Sequence, residues 1–276
     1  MEFVVNPVAN TARWTAAIRA HETQRPDRLF DDPWASVLAG EEGFSLLGPA
    51  GPEVADVGVY VAVRTRFFDD FIVRALRQGL RQVVMVAAGM DARAYRLEWP
   101  DGTTLFELDT VESLAVKGEI LERAGAKPQC RRICVPVDLS ANWAKQLCGA
   151  GFDALQPALW IAEGLFFYLE LPVVHVLLGQ LSKLATTGSQ LGADFISESF
   201  LTSPWMKGAL ASLEARGMTW RSGIDEPETL LAELGWRAEV RQPGEEGVGD
   251  GRWPYPVFPR SFAQMPRSLL VTAVRS

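Results

Sequence analysis

Residues 81–91, Arg81-Gln-Val-Val-Met-Val-Ala-Ala-Gly-Met-Asp91, decide the fold. A short apolar run that stops at a glycine turn predicts a strand buried on both faces, as in a parallel sheet, with a loop at its carboxyl end. Upstream, Val59 to Leu80 carries a helical pattern that Gly79 closes as a C-cap. Downstream the strand signature returns four times: Thr104-Leu-Phe-Glu-Leu-Asp109, Arg132-Ile-Cys-Val-Pro-Val137, Ala158-Leu-Trp-Ile-Ala162 and Gln190-Leu-Gly-Ala-Asp-Phe195. Helical patterns over Val111–Ala124 and Leu171–Ala185 separate them. Strands alternating with helices at this spacing predict an α/β fold, a doubly wound, mostly parallel sheet.

The two ends of the chain read differently. Residues 1–60 predict a helical cap, with an amphipathic stretch from Ala12 to Glu22, and residues 196–223 predict a helical lid inserted after the fifth strand. A short helix over 226–235, a strand over Trp236–Arg241, a Gly- and Pro-rich loop over 243–260 and a last strand, Ser268–Val274, predict an antiparallel pair at one sheet edge. The whole of 1–276 reads as one domain.

With 48% hydrophobic residues a sizeable core is available, and 27 basic against 34 acidic residues (net charge −7, pI near 5.1) argue against a nucleic-acid partner. Three cysteines, Cys130, Cys134 and Cys148, show neither a disulfide framework nor a zinc spacing, so no metal is expected. The first residues lack a basic segment followed by a long apolar one, and no run approaches the ~18 apolar residues of a membrane span. The expectation is a cytoplasmic enzyme with no membrane partner.

In an open α/β sheet, ligands bind beyond the carboxyl ends of the strands, where the strand order reverses. Four predicted strands end in usable groups there: Ala87-Ala88-Gly89-Met90-Asp91, then Asp109, Asp138 and Glu163. Gly89 and Asp109 are 20 residues apart, the gap expected between a glycine turn and an acid that accepts from both hydroxyls of a ribose. A dinucleotide fingerprint would lack its first glycine at Ala87 and would set a pyrophosphate against Asp91. The carboxylate favours a cationic group instead. S-adenosylmethionine carries a sulfonium, an ammonium, a carboxylate, a ribose diol and an adenine amine. Arg64 could pair with its carboxylate, Asp109 with the ribose and Asp138 with the adenine amine, while Glu163 and the backbone at Ala87 and Gly89 hold the amino-acid end. A nicotinamide-dependent oxidoreductase and a non-catalytic cofactor-binding subunit stand as alternatives.

Six stretches carry a resemblance: R-T-R-F-F-D-D (64–70), Q-V-V-M-V-A-A-G-M-D-A-R-A-Y-R-L (82–97), W-P-D-G (99–102), F-E-L-D (106–109), V-D-L (137–139) and A-E-G-L-F-F-Y-L (162–169). Together they resemble the leucine carboxyl methyltransferase family. The ending W-P-Y-P-V-F-P-R (253–260) with M-P-R-S-L-L-V-T-A (265–273) is similar to its bacterial branch, which includes tetracenomycin-type carboxyl methyltransferases of aromatic polyketide biosynthesis. The resemblance implies a class I methyltransferase sheet and S-adenosylmethionine contacts at Arg64, Ala87, Gly89, Asp109, Asp138 and Glu163; Asp91 and Leu139, beside these positions, are read as cofactor-binding candidates as well. Two departures stand out: the family's G-A-G is Ala87-Ala88-Gly89 here, and its D-T-R is Asp91-Ala92-Arg93.

A carboxylate acceptor is ionised at neutral pH and needs no general base, which suits a chain with only His21 and His175. A phenol, with a pKa of about 10, would benefit from one, and His21 in the cap is the candidate. A protein C-terminal carboxyl is a further possible acceptor. Trp205 and Trp220, with Phe200 and Trp253, suggest a lid over a small planar, aromatic acceptor. Each assignment has a plainer competitor: Asp109 or Asp138 as a helix cap, Arg64 paired along its own helix with Asp69 or Asp70, His175 as a structural residue, and the aromatics as packing. Arg93, Tyr95 and Arg96 read as braces of the loop.

Overall fold

A computed structural model describes residues 7–47, 52–262 and 264–276. Three N-terminal helices, α1 (Pro7–Thr23), α2 (Ala35–Leu47) and α3 (Pro52–Arg77), precede the sheet. The alternating segment then runs β1 (Gln82–Val86), α4 (Arg93–Arg96), β2 (Thr104–Asp109), α5 (Val111–Arg123), β3 (Arg131–Pro136), α6 (Ala144–Gly149), β4 (Ala158–Ala162), α7 (Leu171–Leu184) and β5 (Gln190–Ile196). Helices α8 (Glu198–Thr202), α9 (Lys207–Ala215) and α10 (Pro227–Glu233) lead to β6 (Trp236–Arg241) and β7 (Ser268–Arg275).

The strands form one sheet in the order β3-β2-β1-β4-β5-β7-β6. Every pairing from β3 to β5 is parallel, and β7 alone runs antiparallel, between β5 and β6. The expected antiparallel pair is present, with the later strand inside and the earlier one at the edge.

Period-two alternation divides the core into two layers. Val83 and Met85, Leu105, Leu159 and Ile161 face the layer built by α1, α3 and α5, whereas Val84 and Val86, Phe106 and Leu108, and Trp160 face α6 and α7. The same count puts Glu107, Asp109 and Asp194 on the α3 side. Gly192 in β5 makes the approach of α3 possible. A Cβ there would lie 3.0 Å from Phe71 and 3.1 Å from Phe68, so the helix packs close to the strand. One and two turns nearer its start, α3 thereby carries Arg64 and Tyr60 to the carboxyl end of the sheet. Gly79, at φ +99°, ends α3, and Leu80 donates back to the carbonyl of Ala75.

The predicted lid segment is helical in short pieces rather than strand, and the loop 243–267 runs beside it: Ser199 Oγ donates to the Met265 carbonyl at 2.7 Å. Arg252, in that loop, binds Glu22 of α1 at 2.5 Å. None of the described helices is long and apolar enough to cross a membrane.

Candidate active site

Strand order reverses between β1 and β4, and the groups named from sequence gather around that switch point. After β1 the chain turns sharply: Ala87 sits at φ +55° and Gly89 at φ +46°, both left-handed. Glycine reaches that region without a Cβ clash. For alanine at 87 it costs about 1–2 kcal/mol. Gly89 is close-packed as well, since a Cβ there would lie 3.1 Å from Ala12 Cβ in α1. The cap helix therefore lies directly over the turn.

Asp109 ends β2 and is 8% exposed. Its Oδ2 accepts from the Gly89 backbone N–H at 2.6 Å and its Oδ1 from Thr110 N at 2.7 Å. The helix-cap competitor fails here, because Thr110 caps α5 by accepting from Ser113 N at 3.2 Å. Asp138, by contrast, is exposed and takes the turn role: its Oδ1 accepts from Ser140 N at 2.9 Å and Ser140 Oγ at 2.6 Å, which lowers its pKa. Both bonds fall on one oxygen, which leaves Oδ2 for a ligand. Leu139 beside it is half-buried.

The β4 side is held by ion pairs. Glu163 Oε1 accepts from Arg64 Nε at 2.9 Å, and its Oε2 lies 2.8 Å from Arg93 Nη1. That second contact has the distance of an ion pair but not the direction of a hydrogen bond, so Oε2 is a buried acceptor without a donor. Arg64 pairs with Glu163 and with Asp194 of β5 at 3.0 Å, and the proposed partners on its own helix, Asp69 and Asp70, go elsewhere. Asp70 pairs with Arg66 at 2.8 Å, and Asp69 takes Arg93 and Arg96, each at 2.7 Å.

One expectation needs correction. Asp91 does not present a bare carboxylate: Oδ1 accepts from Arg93 N at 2.7 Å and Oδ2 from Arg93 Nη1 at 2.6 Å. Burial alone would raise its pKa, but the charges of Arg93, Lys117, Arg19 and Arg96 outweigh burial and hold it at about 2. Asp91 therefore braces the loop, as Arg93 and Arg96 do, and cannot by itself repel a pyrophosphate.

What selects charge is the group as a whole. Arg19 binds Asp32 at 2.9 Å and the Met90 carbonyl at 2.6 Å, and Arg96 reaches Asp32 at 3.7 Å. A continuous buried chain thus joins Arg19, Asp32, Arg96, Asp69, Arg93, Asp91, Glu163, Arg64 and Asp194, four cations against five carboxylates. Asp109 adds a sixth. The neighbouring buried group, Glu107 with Lys117 at 2.9 Å and Arg132 at 2.6 Å, carries the opposite excess. Counted together, carboxylates still lead by seven to six. A net-positive ligand suits this charge balance, and Glu163 Oε2 is a buried acceptor that a cationic donor could meet. A dinucleotide, net negative, does not fit.

Other residues singled out lie away from these contacts. His21 is exposed and lies tilted against Phe44 with ring centroids 5.6 Å apart, and His175 is exposed on α7. Trp220 belongs to a cluster with Phe167 (4.6 Å), Phe200 (5.2 Å) and Tyr168 (6.3 Å), just after Glu163. Trp205 is 75% exposed and makes no ring contact among the described residues, so the two tryptophans do not form a pair. Asp194, Arg93, Arg19 and Tyr60 were not read as site residues. Only Asp194 carried a usable signal, an acid inside an otherwise buried strand.

A seven-stranded sheet in this order, with one reversed strand and an acid-lined switch point, is the class I methyltransferase fold. Solved structures agree on the fold. The chain is similar to a DUF574-family protein from Streptomyces avermitilis (TM-score 0.66, 13% identity, covering 96% of this chain and 97% of that one). It is also similar to magnesium protoporphyrin IX methyltransferase from Synechocystis, solved with S-adenosylhomocysteine bound (TM-score 0.51, 13% identity, 86% and 95%). The chain belongs to the leucine carboxyl methyltransferase family, whose profile matches residues 12–182, more than half of its length. A Frankia alni relative is 38% identical over 274 residues (96% of this chain, 94% of that one), and one from Streptomyces coelicolor is 38% identical over 256 (88% and 87%). Both are named, as provisional assignments, S-adenosyl-L-methionine-dependent methyltransferases.

Proposed function

We propose that this S-adenosylmethionine-dependent methyltransferase is an O-methyltransferase, and that its acceptor is a carboxylate of a small aromatic molecule. The observation that carries the cofactor reading is the convergence of Asp109, Glu163 and Arg64 at the strand ends, within a buried group that has a negative excess. The cofactor, when bound, supplies an electrophilic methyl on a positively charged sulfur. The protein's own task is then alignment in a dry site, a proximity effect. Arg64 holds the carboxylate of the cofactor, Asp109 the ribose diol, Asp138 the adenine amine, and Glu163 the ammonium.

The oxygen acceptor is inferred from what surrounds Arg64. Burial pushes the phenols of Tyr60 and Tyr168 up, so neither is an available base at neutral pH. The carboxylates there are committed to arginines, and both histidines are exposed. An acceptor already ionised needs no base, which favours a carboxylate over a phenol. The cluster of Phe167, Tyr168, Phe200 and Trp220 beside Glu163 offers a face for an aromatic ring, with 196–223 as its lid. The similarity to the bacterial branch supports a secondary metabolite, such as an aromatic polyketide. The free cysteines suit the cytoplasm.

Calorimetry with S-adenosylhomocysteine tests the cofactor. Binding is expected, and its absence in folded protein overturns the reading. Labelled methyl transfer to a panel of aromatic carboxylates and phenols between pH 6 and 9 tests the acceptor. Carboxylates are expected to react at a nearly constant rate across that range, and a rate confined to phenols and rising with pH overturns the carboxylate assignment.

A further inference from the structure

Asp194 has none of its surface exposed, and its strand neighbours Ala193 and Phe195 are core. A carboxylate in such a place persists only where donors replace the water it has lost. Three donors do so. Tyr60 Oη at 2.8 Å and Arg64 Nη1 at 3.0 Å donate to Oδ2, and the Gly164 backbone N–H donates to Oδ1 at 2.6 Å. They come from two walls of the same crevice, the N-terminal half of α3 and the turn after β4.

The result at Arg64 is a guanidinium fixed on several sides. Its Nε is bound to Glu163, its Nη1 to Asp194, and its Cζ lies 5.4 Å from the centroid of the Tyr60 ring. Gly164, at φ +67°, presses so close that a Cβ would lie 3.2 Å from both Nη1 and Nη2. Among the described residues no acceptor takes Nη2. One edge of a planar fork, the geometry that matches a carboxylate, is thereby left to a ligand. Glu163 alone cannot set this pose, because it is shared with Arg93.

We infer that Asp194 is a positioning residue for the cofactor's carboxylate: it locks Arg64 and the Gly164 turn into one arrangement that presents the Nη2 edge to that group. The inference rests on the role given to Arg64 above. Asp194 does not touch the ligand and acts through Arg64.

The test compares S-adenosylhomocysteine with its decarboxylated analogue, which keeps the adenosine, the sulfur and the ammonium. Both are titrated by calorimetry into the wild type, Asp194→Asn and Tyr60→Phe. Asp194→Asn is expected to weaken S-adenosylhomocysteine about 10- to 100-fold, the scale of a charge-assisted contact, and the analogue less than about 2-fold. Tyr60→Phe, which removes one donor and spares the charge, is expected to show the same selectivity with a loss of about 3- to 10-fold, the scale of one hydrogen bond. Equal losses for both ligands, or no loss for S-adenosylhomocysteine, overturn the assignment. Should Asp194→Asn not fold, Tyr60→Phe decides by the same criterion. Wild-type protein that binds neither ligand overturns the cofactor reading itself and this assignment with it, whereas an unselective loss in a wild type that binds both overturns the Asp194 assignment alone.

Discussion

The two halves of the site hold their acids in different ways. On the β2–β3 side, Asp109 and Asp138 are held by backbone N–H groups of their own loops or of the neighbouring β1 turn, at most 20 residues away. On the β4–β5 side, Glu163 and Asp194 are held by arginines and a tyrosine up to 134 residues away. The first half is built locally and can lose a side chain without collapsing. The second is a charge lattice, in which removing one member leaves its partners buried and uncompensated.

That contrast can be broken most forcefully at Arg93, 1% exposed and in contact with Asp69, Asp91 and Glu163. Arg93→Met is expected to destabilise by about 3–5 kcal/mol, a fall in melting temperature of about 8–15 °C by calorimetry. A shift under about 3 °C would mean the lattice is not structural.

Acid sharpens the same half. Asp91 is depressed in the folded state to about 2 from an ordinary 3.8, so its contribution is complete above pH ~4 and is lost as pH falls through about 2. The shift corresponds to roughly 2–3 kcal/mol. Stability measured by urea unfolding should decline across that window, and Asp91→Asn should flatten the decline.

On the local half, Asp109→Ala is expected to weaken S-adenosylhomocysteine about 10- to 100-fold in calorimetry, the range of lost charge-assisted bonds, with melting nearly unchanged. Asp138→Ala, at an exposed turn, should weaken it less than about 3-fold. Equal losses at the two positions would erase the distinction between a buried carboxylate and an exposed one.

The smallest effect is expected at Ala87. Left-handed alanine costs about 1–2 kcal/mol, and glycine gives back about 0.5–1 kcal/mol in unfolded-chain entropy. Ala87→Gly should therefore stabilise by about 0.5–1 kcal/mol and raise the melting temperature by about 1–3 °C. A decrease would mean that the turn gains nothing from a glycine at 87.

Much of this was legible in the chain. Strands β2, β4 and β6 have the bounds that the sequence predicts, because buried runs such as Ala158–Ala162 are bracketed by residues that cannot continue them. Asp109 was legible through its distance from Gly89, and Arg93 and Arg96 as braces. Asp91 was misread, because its neutralisation by Arg93 is a matter of side-chain geometry two residues on. The exposure of Trp205 was not legible, because an aromatic in a helical insertion packs or protrudes according to helix rotation, which a short segment does not specify. Helices α4 and α6, of 4 and 6 residues, are too short for a periodic signal.

By itself the sequence determined the run of parallel strands and the acids that follow them, since hydrophobic period, glycine turns and spacing act over a few neighbouring residues, whereas the strand order and its reversal point came from the structure. Only the tertiary structure decided which acids meet which cations. The ion pairs of Arg64 with Glu163 and Asp194, and the Tyr60 hydrogen bond to Asp194, depend on α3 packing against Gly192, a contact between distant segments that no local pattern encodes.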